Sequence, residues 1–200
     1  MKKGCLLGGI AGLVALAAIV ILWAVGIYNN IVPKDQAVKA QWGQVETAYQ
    51  KRADLTDQLV ATVKGAKDFE QETLTQVIEA RSKATAVNIN PENLNPEDIA
   101  KFQQAQDGLS SALGRLMVVV ERYPDLKSNQ NFLALQTSLE SMADEIRFEQ
   151  KKFNDSAQDY NTFIKVIPNN LIAGFGGFQE KGYFKAAEGA DKAPTIDFSK

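Results

Sequence analysis

One uncharged stretch near the N-terminus constrains what this chain can fold into more than any other feature. Residues 6–27 carry no charged side chain, and as an α-helix rising about 1.5 Å per residue they span about 33 Å. That length matches the hydrocarbon core of a bilayer, which is about 30 Å thick. Trp23 and Tyr28 lie near its C-terminal end, where aromatic side chains are enriched at membrane interfaces. The stretch predicts a transmembrane helix that places residues 6–27 in the lipid bilayer, after a short tail of residues 1–5.

A cleaved signal peptide is the alternative interpretation of the same stretch. Lys2 and Lys3 suit its basic start, and residues 24–26, Ala-Val-Gly, resemble a cleavage site with small residues. The apolar region of a signal peptide is only about 7–15 residues long, however, and this stretch is longer. We therefore expect an uncleaved anchor. Cys5 has no apolar segment before it that could direct lipid modification, so we expect an ordinary small residue there.

The charges beside the anchor predict its orientation. Lys2 and Lys3 favour a cytoplasmic N-terminus, because basic residues are retained on that side of the membrane. Lys34 and Lys39 lie on the other side and weaken this bias. We expect a cytoplasmic N-terminus and a domain outside the cytoplasm.

The composition excludes several classes of function. The chain has 22 basic and 24 acidic residues and a formal net charge of −2, which gives it no electrostatic attraction for nucleic acid. It contains no histidine, the commonest general base and transition-metal ligand. Neither a nucleophile-elbow motif nor a phosphate-binding glycine loop is present. We expect no catalytic residues, no metal site, no cofactor and no enzymatic activity.

After the anchor, the pattern of apolar residues predicts helices. Apolar side chains recur every three or four residues across residues 35–167, a spacing typical of amphipathic helices. Period-two alternation, which would predict strands, does not occur at length. Proline, asparagine and glycine divide this region into four helices with short connections, which place neighbouring helices antiparallel. We expect an all-α fold, in which the transmembrane helix precedes an antiparallel four-helix bundle running up-down-up-down with seams like those of a coiled coil.

Local signals predict where the first bundle helix begins and ends. It is expected to start near Asp35, after Pro33 and a linker at residues 28–34. Gly65 is its expected end, although a helix that continues through this glycine remains possible.

The later helices have signals of the same kind. Asp68 with Gln71 resembles a capping box for the second helix. Asn95 and Pro96 are typical of the N-cap and first position of the third helix. We expect Pro124 to end the third helix and Pro168 to end the fourth, because the residue before a proline is disfavoured in a helix.

Residues 168–200 form a C-terminal tail of different character, in which glycines alternate with aromatic residues. A disordered end is one interpretation of this composition. The alternative is a segment that docks its aromatic side chains on the bundle, on the membrane surface or on a partner. The candidate interaction residues are Phe175, Phe178, Tyr183 and Phe184.

Two charged residues interrupt the apolar seams of the bundle. Arg52 and Glu149 lie at similar distances, about 26 Å, from the ends of the first and fourth helices nearest the membrane. We hypothesise that they meet in a buried polar layer that fixes the helix register, with Arg81 reaching the same level. The alternative is that both side chains extend past the seam to water. A further hypothesis is that Arg52 and Arg81 together grip a carboxylate ligand.

Two asparagines follow aromatic residues of the fourth helix seam. Asn154 and Asn161 are seven residues apart and therefore lie on one flank of the helix. Solvation of that flank is the simpler explanation, and we do not expect them to form a site.

Several sequence blocks follow one another along nearly the whole chain after the anchor. They include Gln-Trp-Gly-Gln-Val at 41–45, Leu-Val-Ala-Thr-Val-Lys-Gly at 59–65 and Pro-Asn-Asn-Leu-Ile-Ala at 168–173, and the most specific is Glu-Arg-Tyr-Pro-Asp-Leu-Lys-Ser-Asn at 121–129. Taken together, these blocks resemble the motifs of the LemA family. One departure lies at residues 56–58, where this chain has Thr-Asp-Gln and the family tends to have Ile-Pro-Asn. The proline that would impose a kink is therefore absent from these positions.

The resemblance implies a single-pass protein of the bacterial inner membrane with a helical-bundle domain. It brings no catalytic residues, and one member of the family belongs to the machinery of magnetosome membranes. Together with the composition, it leads us to expect a membrane-anchored scaffold or adaptor of the bacterial envelope that acts by protein–protein or self association. The alternative is an extracytoplasmic ligand-sensing bundle that works with a separate transducing partner.

Overall fold

The computed structural model describes residues 2–66 and 69–186 of the chain, and these contain helices and no strand. The predicted all-α fold is therefore confirmed. Within these residues, six helices follow one another: α1 Lys2–Lys64, α2 Gln71–Ala86, α3 Pro96–Val120, α4 Pro124–Lys127, α5 Gln130–Lys165 and α6 Asn169–Phe175.

The anchor and the first bundle helix form one continuous helix. α1 passes through Pro33 without a break, so residues 28–34, expected to be a linker, are helical. No helix begins near Asp35 as expected, because α1 already begins at Lys2 and continues past this residue. The physical reason is packing across the proline, since Ile31 and Val38 are buried in the same apolar cluster.

The N-terminal part of α1 has the character of a membrane span. Among the helices described, α1 contains a stretch that is long and apolar enough to cross a bilayer. The large apolar side chains of this stretch, such as Leu13 and Leu22, are exposed in the isolated chain. The predicted single transmembrane helix is thus matched by a helix with an outward apolar surface.

The long helices pack in two pairs. α5 runs antiparallel to α1, since Lys34 pairs with Asp159 while Lys51, farther from the membrane, pairs with Glu145. α2 and α3 pack on each other across the short loop that joins them. This packing is compatible with the up-down-up-down order expected from the short connections.

The interior consists of two apolar clusters arranged along α1. The proximal cluster, next to the membrane span, is centred on Trp42, Phe153 and Tyr160. The distal cluster contains Leu59 and Leu116. Arg52 and Thr56 lie on α1 between the two clusters and are buried polar residues.

Most helix ends follow the sequence signals. Asn95 caps α3 by accepting a hydrogen bond from the backbone N–H of Asp98 at 2.8 Å, and α1 ends directly before Gly65. α1 also continues through residues 56–58, where the proline typical of the family is missing. The expected cap at Asp68 lies outside the described residues. The short helix α4 was not predicted from the sequence.

Candidate functional site

Arg52 lies in a buried polar layer between the two apolar clusters. Its guanidinium donates to Gln106 Oε1 at 2.6 Å and to Ser110 Oγ at 2.8 Å, and its Cζ lies 4.9 Å from the centre of the Tyr49 ring. Gln106 in turn donates to the carbonyl oxygen of Ala84 at 3.1 Å. Burial lowers the pKa of Arg52 and raises the pKa of Tyr49 to about 12. The layer ties α1 to α3 and, through Gln106, to α2.

Glu149 and Arg81 take other partners, so the three residues hypothesised to share a layer are not brought together. Glu149 accepts a hydrogen bond from the Gln41 side chain. Arg81 forms an ion pair with Asp57 at 2.5 Å. Neither residue contributes to the hydrogen bonds that the structure describes for Arg52, and Arg52 and Arg81 share no partner among them.

The reason is the register and rotation of the helices. Lys51, the neighbour of Arg52, pairs with Glu145, which lies one helical turn before Glu149 on α5. Arg52 itself points from α1 towards α3. The distance of about 26 Å from the helix ends assumes that α1 and α5 end at the same height. It does not show which neighbouring helix a side chain faces.

The C-terminal tail docks on the bundle over the part that the structure describes. After α6, residues 178–186 have no regular secondary structure, yet Lys181 and Phe184 are buried. The tail contacts α1, α3 and α5. Of the interpretations considered for this tail, docking on the bundle holds for residues 169–186, whereas residues 187–200 lie outside the described part of the chain.

Amide side chains hold the tail backbone by paired hydrogen bonds. Asn154 donates to the carbonyl oxygen of Phe184 at 2.9 Å and accepts from its N–H at 2.9 Å. Asn161 makes the same pair of bonds to Lys181, at 2.8 and 2.9 Å. Gln103 of α3 does so with Lys185, at 2.8 and 3.0 Å. Each amide thus satisfies both backbone groups of one tail residue.

The spacing of these contacts follows from the two backbone geometries. Asn154 and Asn161 are two helical turns apart, or about 10.5 Å. Lys181 and Phe184 are three extended residues apart, or about 10 Å. The two asparagines of α5 therefore match the repeat of an extended chain, and they hold it much as a neighbouring strand would.

Gly182 lets the tail pass close to the start of α3. Its N–H donates to the carbonyl oxygen of Leu94 at 2.8 Å. A Cβ atom at this position would lie 2.7 Å from Pro96 Cα, which is backbone and cannot move aside. The absence of a side chain is therefore required for this close approach.

An ion cluster around Asp35 holds the tail at Lys181. Lys181 Nζ pairs with Asp35 Oδ1 at 2.8 Å, and Lys39 pairs with Asp35 Oδ2 at 2.7 Å. Lys39 also contacts Glu92. Burial raises the pKa of Asp35, but the hydrogen bonds and charges of Lys181 and Lys39 outweigh it, and the pKa lies below its ordinary value. The Lys181 ammonium also lies 5.3 Å from the centre of the Tyr160 ring.

The four aromatic residues proposed as interaction residues of the tail behave differently from one another. Phe184 stacks on Trp42 in the proximal cluster, with an interplanar angle of 11°. Phe178 lies against Tyr28, with ring centroids 5.4 Å apart, and the Tyr183 hydroxyl accepts from Asn161 at 2.8 Å. Phe175 is 92% exposed. Three of the four thus contact the bundle, and one is left free for an external contact.

The residues that hold the tail were largely missed from the sequence. The spacing of Asn154 and Asn161 predicts a solvated flank, whereas the structure shows that both side chains bind the tail. The sequence pattern does not mark Asp35 or Gln103 as residues that bind the tail. The available signal was the match between that spacing and an extended segment. The tail lies in a groove lined by Asp35, Gln103, Asn154 and Asn161. This tail groove binds a peptide backbone and one lysine side chain by non-covalent contacts.

Comparisons with known proteins agree with the sequence motifs. A model of the LemA family matches residues 41–198. Magnetosome protein MamQ of Magnetospirillum gryphiswaldense is 38% identical over 87 residues, which are 44% of this chain and 32% of that protein. Protein LemA of Metamycoplasma hominis is 25% identical over 164 residues, which are 82% of this chain and 71% of that protein. The match covers about a third of the length of the magnetosome relative.

Removing one amide should loosen the tail without unfolding the bundle. In Asn161→Ala the backbone groups of Lys181 lose both partners, and each unsatisfied buried group costs about 1–3 kcal/mol. We expect the hydrogen-exchange protection of the Lys181 and Phe184 amides to fall at least tenfold in the full chain in detergent micelles. Asn131→Ala, at an exposed asparagine far from the tail, is the matched control. Unchanged protection in Asn161→Ala would show that these bonds do not hold the tail.

The Asp35 cluster should make tail docking sensitive to acid. A carboxyl whose pKa is lowered by docking stabilises the docked state above its ordinary pKa of 3.8, and this stabilisation is lost as the pH falls below that value. The protection factor of the Phe184 amide, which the ion cluster does not contact, should therefore decrease below about pH 4. Asp35→Asn should show lower protection at neutral pH and a weaker dependence on pH. An identical pH profile in the two proteins would contradict this role of Asp35.

Proposed function

This chain belongs to the LemA family, and from that premise we propose that it is a membrane-anchored, non-enzymatic scaffold or adaptor of the bacterial envelope. It would act by associating with another envelope protein or with further copies of itself. The N-terminal apolar helix and the similarity to the family support association with a membrane. Lys2 and Lys3 favour a cytoplasmic N-terminus, which would place the bundle outside the cytoplasm.

The continuity of α1 is the observation that carries this proposal. Residues 28–64 of α1 extend about 55 Å beyond the predicted span. α5 packs along this part of α1, so the bundle and the anchor share one helical element. A body held in this way presents its surface at a fixed height above the bilayer, as a scaffold requires and a flexible tether does not provide.

The buried polar groups support a structural role. Arg52 is occupied by Gln106 and Ser110, and Asn161 and Asp35 are occupied by the tail. These groups hold helices and tail in place. Asp35 also borders a space of about 240 Å³ beside Glu92 and Tyr160, but its two carboxylate oxygens are already paired with Lys181 and Lys39.

The ligand-sensing alternative depends on the spaces between the helices. The space beside Glu46, Tyr49 and Gln106, between α1, α2 and α3, has a volume of about 210 Å³, whereas pockets for small molecules are usually about 300–1,000 Å³. A larger space of about 640 Å³ lies beside Thr62 and Leu126, at the end of α1 far from the predicted span. By volume, a small-molecule ligand fits the second space and not the first.

Site-specific crosslinking in native membranes tests the scaffold proposal. A photo-reactive amino acid replaces Val118 or Phe148, which are 72% and 55% exposed on the outer surface of α3 and α5. Gln158, an exposed polar position on α5, provides the matched control. We expect an adduct at one or both apolar positions, and mass spectrometry then identifies a second copy or a different envelope protein.

The identity of the adduct separates the two forms of the proposal. Adducts that contain peptides of this chain alone indicate self-association, and a reproducible heterologous adduct indicates an adaptor. Yields at Val118 and Phe148 no higher than at Gln158 would contradict association through the bundle surface.

A further inference from the structure

We propose that the bundle has a second membrane contact, formed by the turn after α5 and by α6, which lie on the bilayer surface beside α1. This apolar cap consists of Val166, Ile167, Leu171 and Phe175. Its partner is the interfacial region of the lipid bilayer. The proposal requires the membrane insertion of residues 6–27, and it does not depend on the partner of the scaffold.

The level of the cap along α1 coincides with the end of the predicted span. Lys34 of α1 pairs with Asp159 of α5 at 2.6 Å. α5 continues for six residues from Asp159 to Lys165, or about 9 Å towards the membrane, and the same distance back from Lys34 leads to Tyr28. α5 therefore ends beside Tyr28, the first residue after the predicted span of residues 6–27.

Contacts of α6 with α1 place the cap at the same level independently. Ile172 packs against the proximal cluster, which includes Ile27 and Ile31 of α1. Directly after α6, the Phe178 ring lies 5.4 Å from the Tyr28 ring. α6 therefore lies across the membrane-facing end of the bundle, where the transmembrane helix leaves the bilayer.

The cap is apolar and open. Ile167 is 83% exposed, Leu171 is 60% exposed and Phe175 is 92% exposed. Leu171 and Phe175 are four positions apart on α6, a spacing that places them on one side of this helix. Ile167 lies in the turn before α6. The opposite side faces the bundle, because Ala173 is buried there. The bundle thus uses one side of this segment and leaves its larger apolar side chains uncovered.

The charge pattern indicates that the apolar cap contacts lipid. Residues 166–178 contain no charged side chain, whereas the segments before and after carry Lys165 and Glu180, which pair with each other. An uncharged apolar segment at the level of a bilayer surface matches the interfacial region, and Trp23 and Tyr28 provide aromatic anchors beside it. With no basic residue in the cap, contact with neutral lipids is sufficient.

Spin-label accessibility in the full-length protein tests the position of the cap. Cys5→Ser removes the only cysteine of the chain, and Phe175→Cys or Leu171→Cys then introduces one labelling site. Leu133→Cys is the matched control, because Leu133 is an exposed apolar residue, at 45% exposure, near the other end of the bundle, and the scaffold proposal does not place a partner there. Each protein is reconstituted in phosphatidylcholine vesicles, and the accessibility of the label to oxygen and to a water-soluble nickel chelate is measured.

The expected result is a several-fold higher oxygen-to-nickel accessibility ratio at positions 175 and 171 than at position 133, because oxygen partitions into lipid and the chelate does not. Equal ratios at the three positions would mean that the cap faces water and would overturn the proposal. Low accessibility to both reagents with dipolar broadening would show a second copy covering the cap. Low accessibility without broadening would show burial on the chain's own bundle. Either result would also overturn it, and neither would bear on crosslinking at Val118 or Phe148.

Discussion

A proline inside a helix removes one backbone hydrogen bond and costs about 3 kcal/mol or more, so the passage of α1 through Pro33 must be stabilised by other contacts. Ile31 and Val38, on either side of the proline, are fully buried in the proximal cluster. Each such side chain contributes about 1.5–3 kcal/mol on burial, and together they offset the cost. The height of the bundle above the membrane, the level of α6 and the position of the tail groove all depend on this packing.

The tail and α5 illustrate how a helical protein can bind an extended chain without a sheet. Asn154 and Asn161 supply the donors and acceptors that a strand edge would supply, and Phe184 fills the space over Trp42. Asp35 compensates the burial of the Lys181 charge, which alone would be costly. The same segment completes the proximal cluster and holds α6 near the membrane end of α1, so the tail links the core of the bundle to its base.

The sequence predicts those features that depend on local chemistry. The membrane span, the Asn95 cap and the helix end before Gly65 follow from short motifs and agree with the structure. The continuation of α1 through Pro33 does not follow from a short motif, because local propensity favours a break there and tertiary packing overrides it. Arg52 was correctly placed in a seam, but its contact with Gln106 depends on the rotation of α1 relative to α3. Such long-range geometry is not contained in spacing along one helix.

The distance between labels on either side of Pro33 tests the central claim, that anchor and bundle share one helix. Val25 and Thr47 are exposed positions of α1 on nearly the same side of the helix, with a backbone separation of about 33 Å along it. In the Cys5→Ser background, spin labels at Val25→Cys and Thr47→Cys allow this distance to be measured by pulsed dipolar spectroscopy in lipid vesicles. A continuous helix predicts one narrow distribution near this distance. A broad distribution, or one centred at a clearly shorter distance, would show a flexible linker at residues 28–34 and contradict the account.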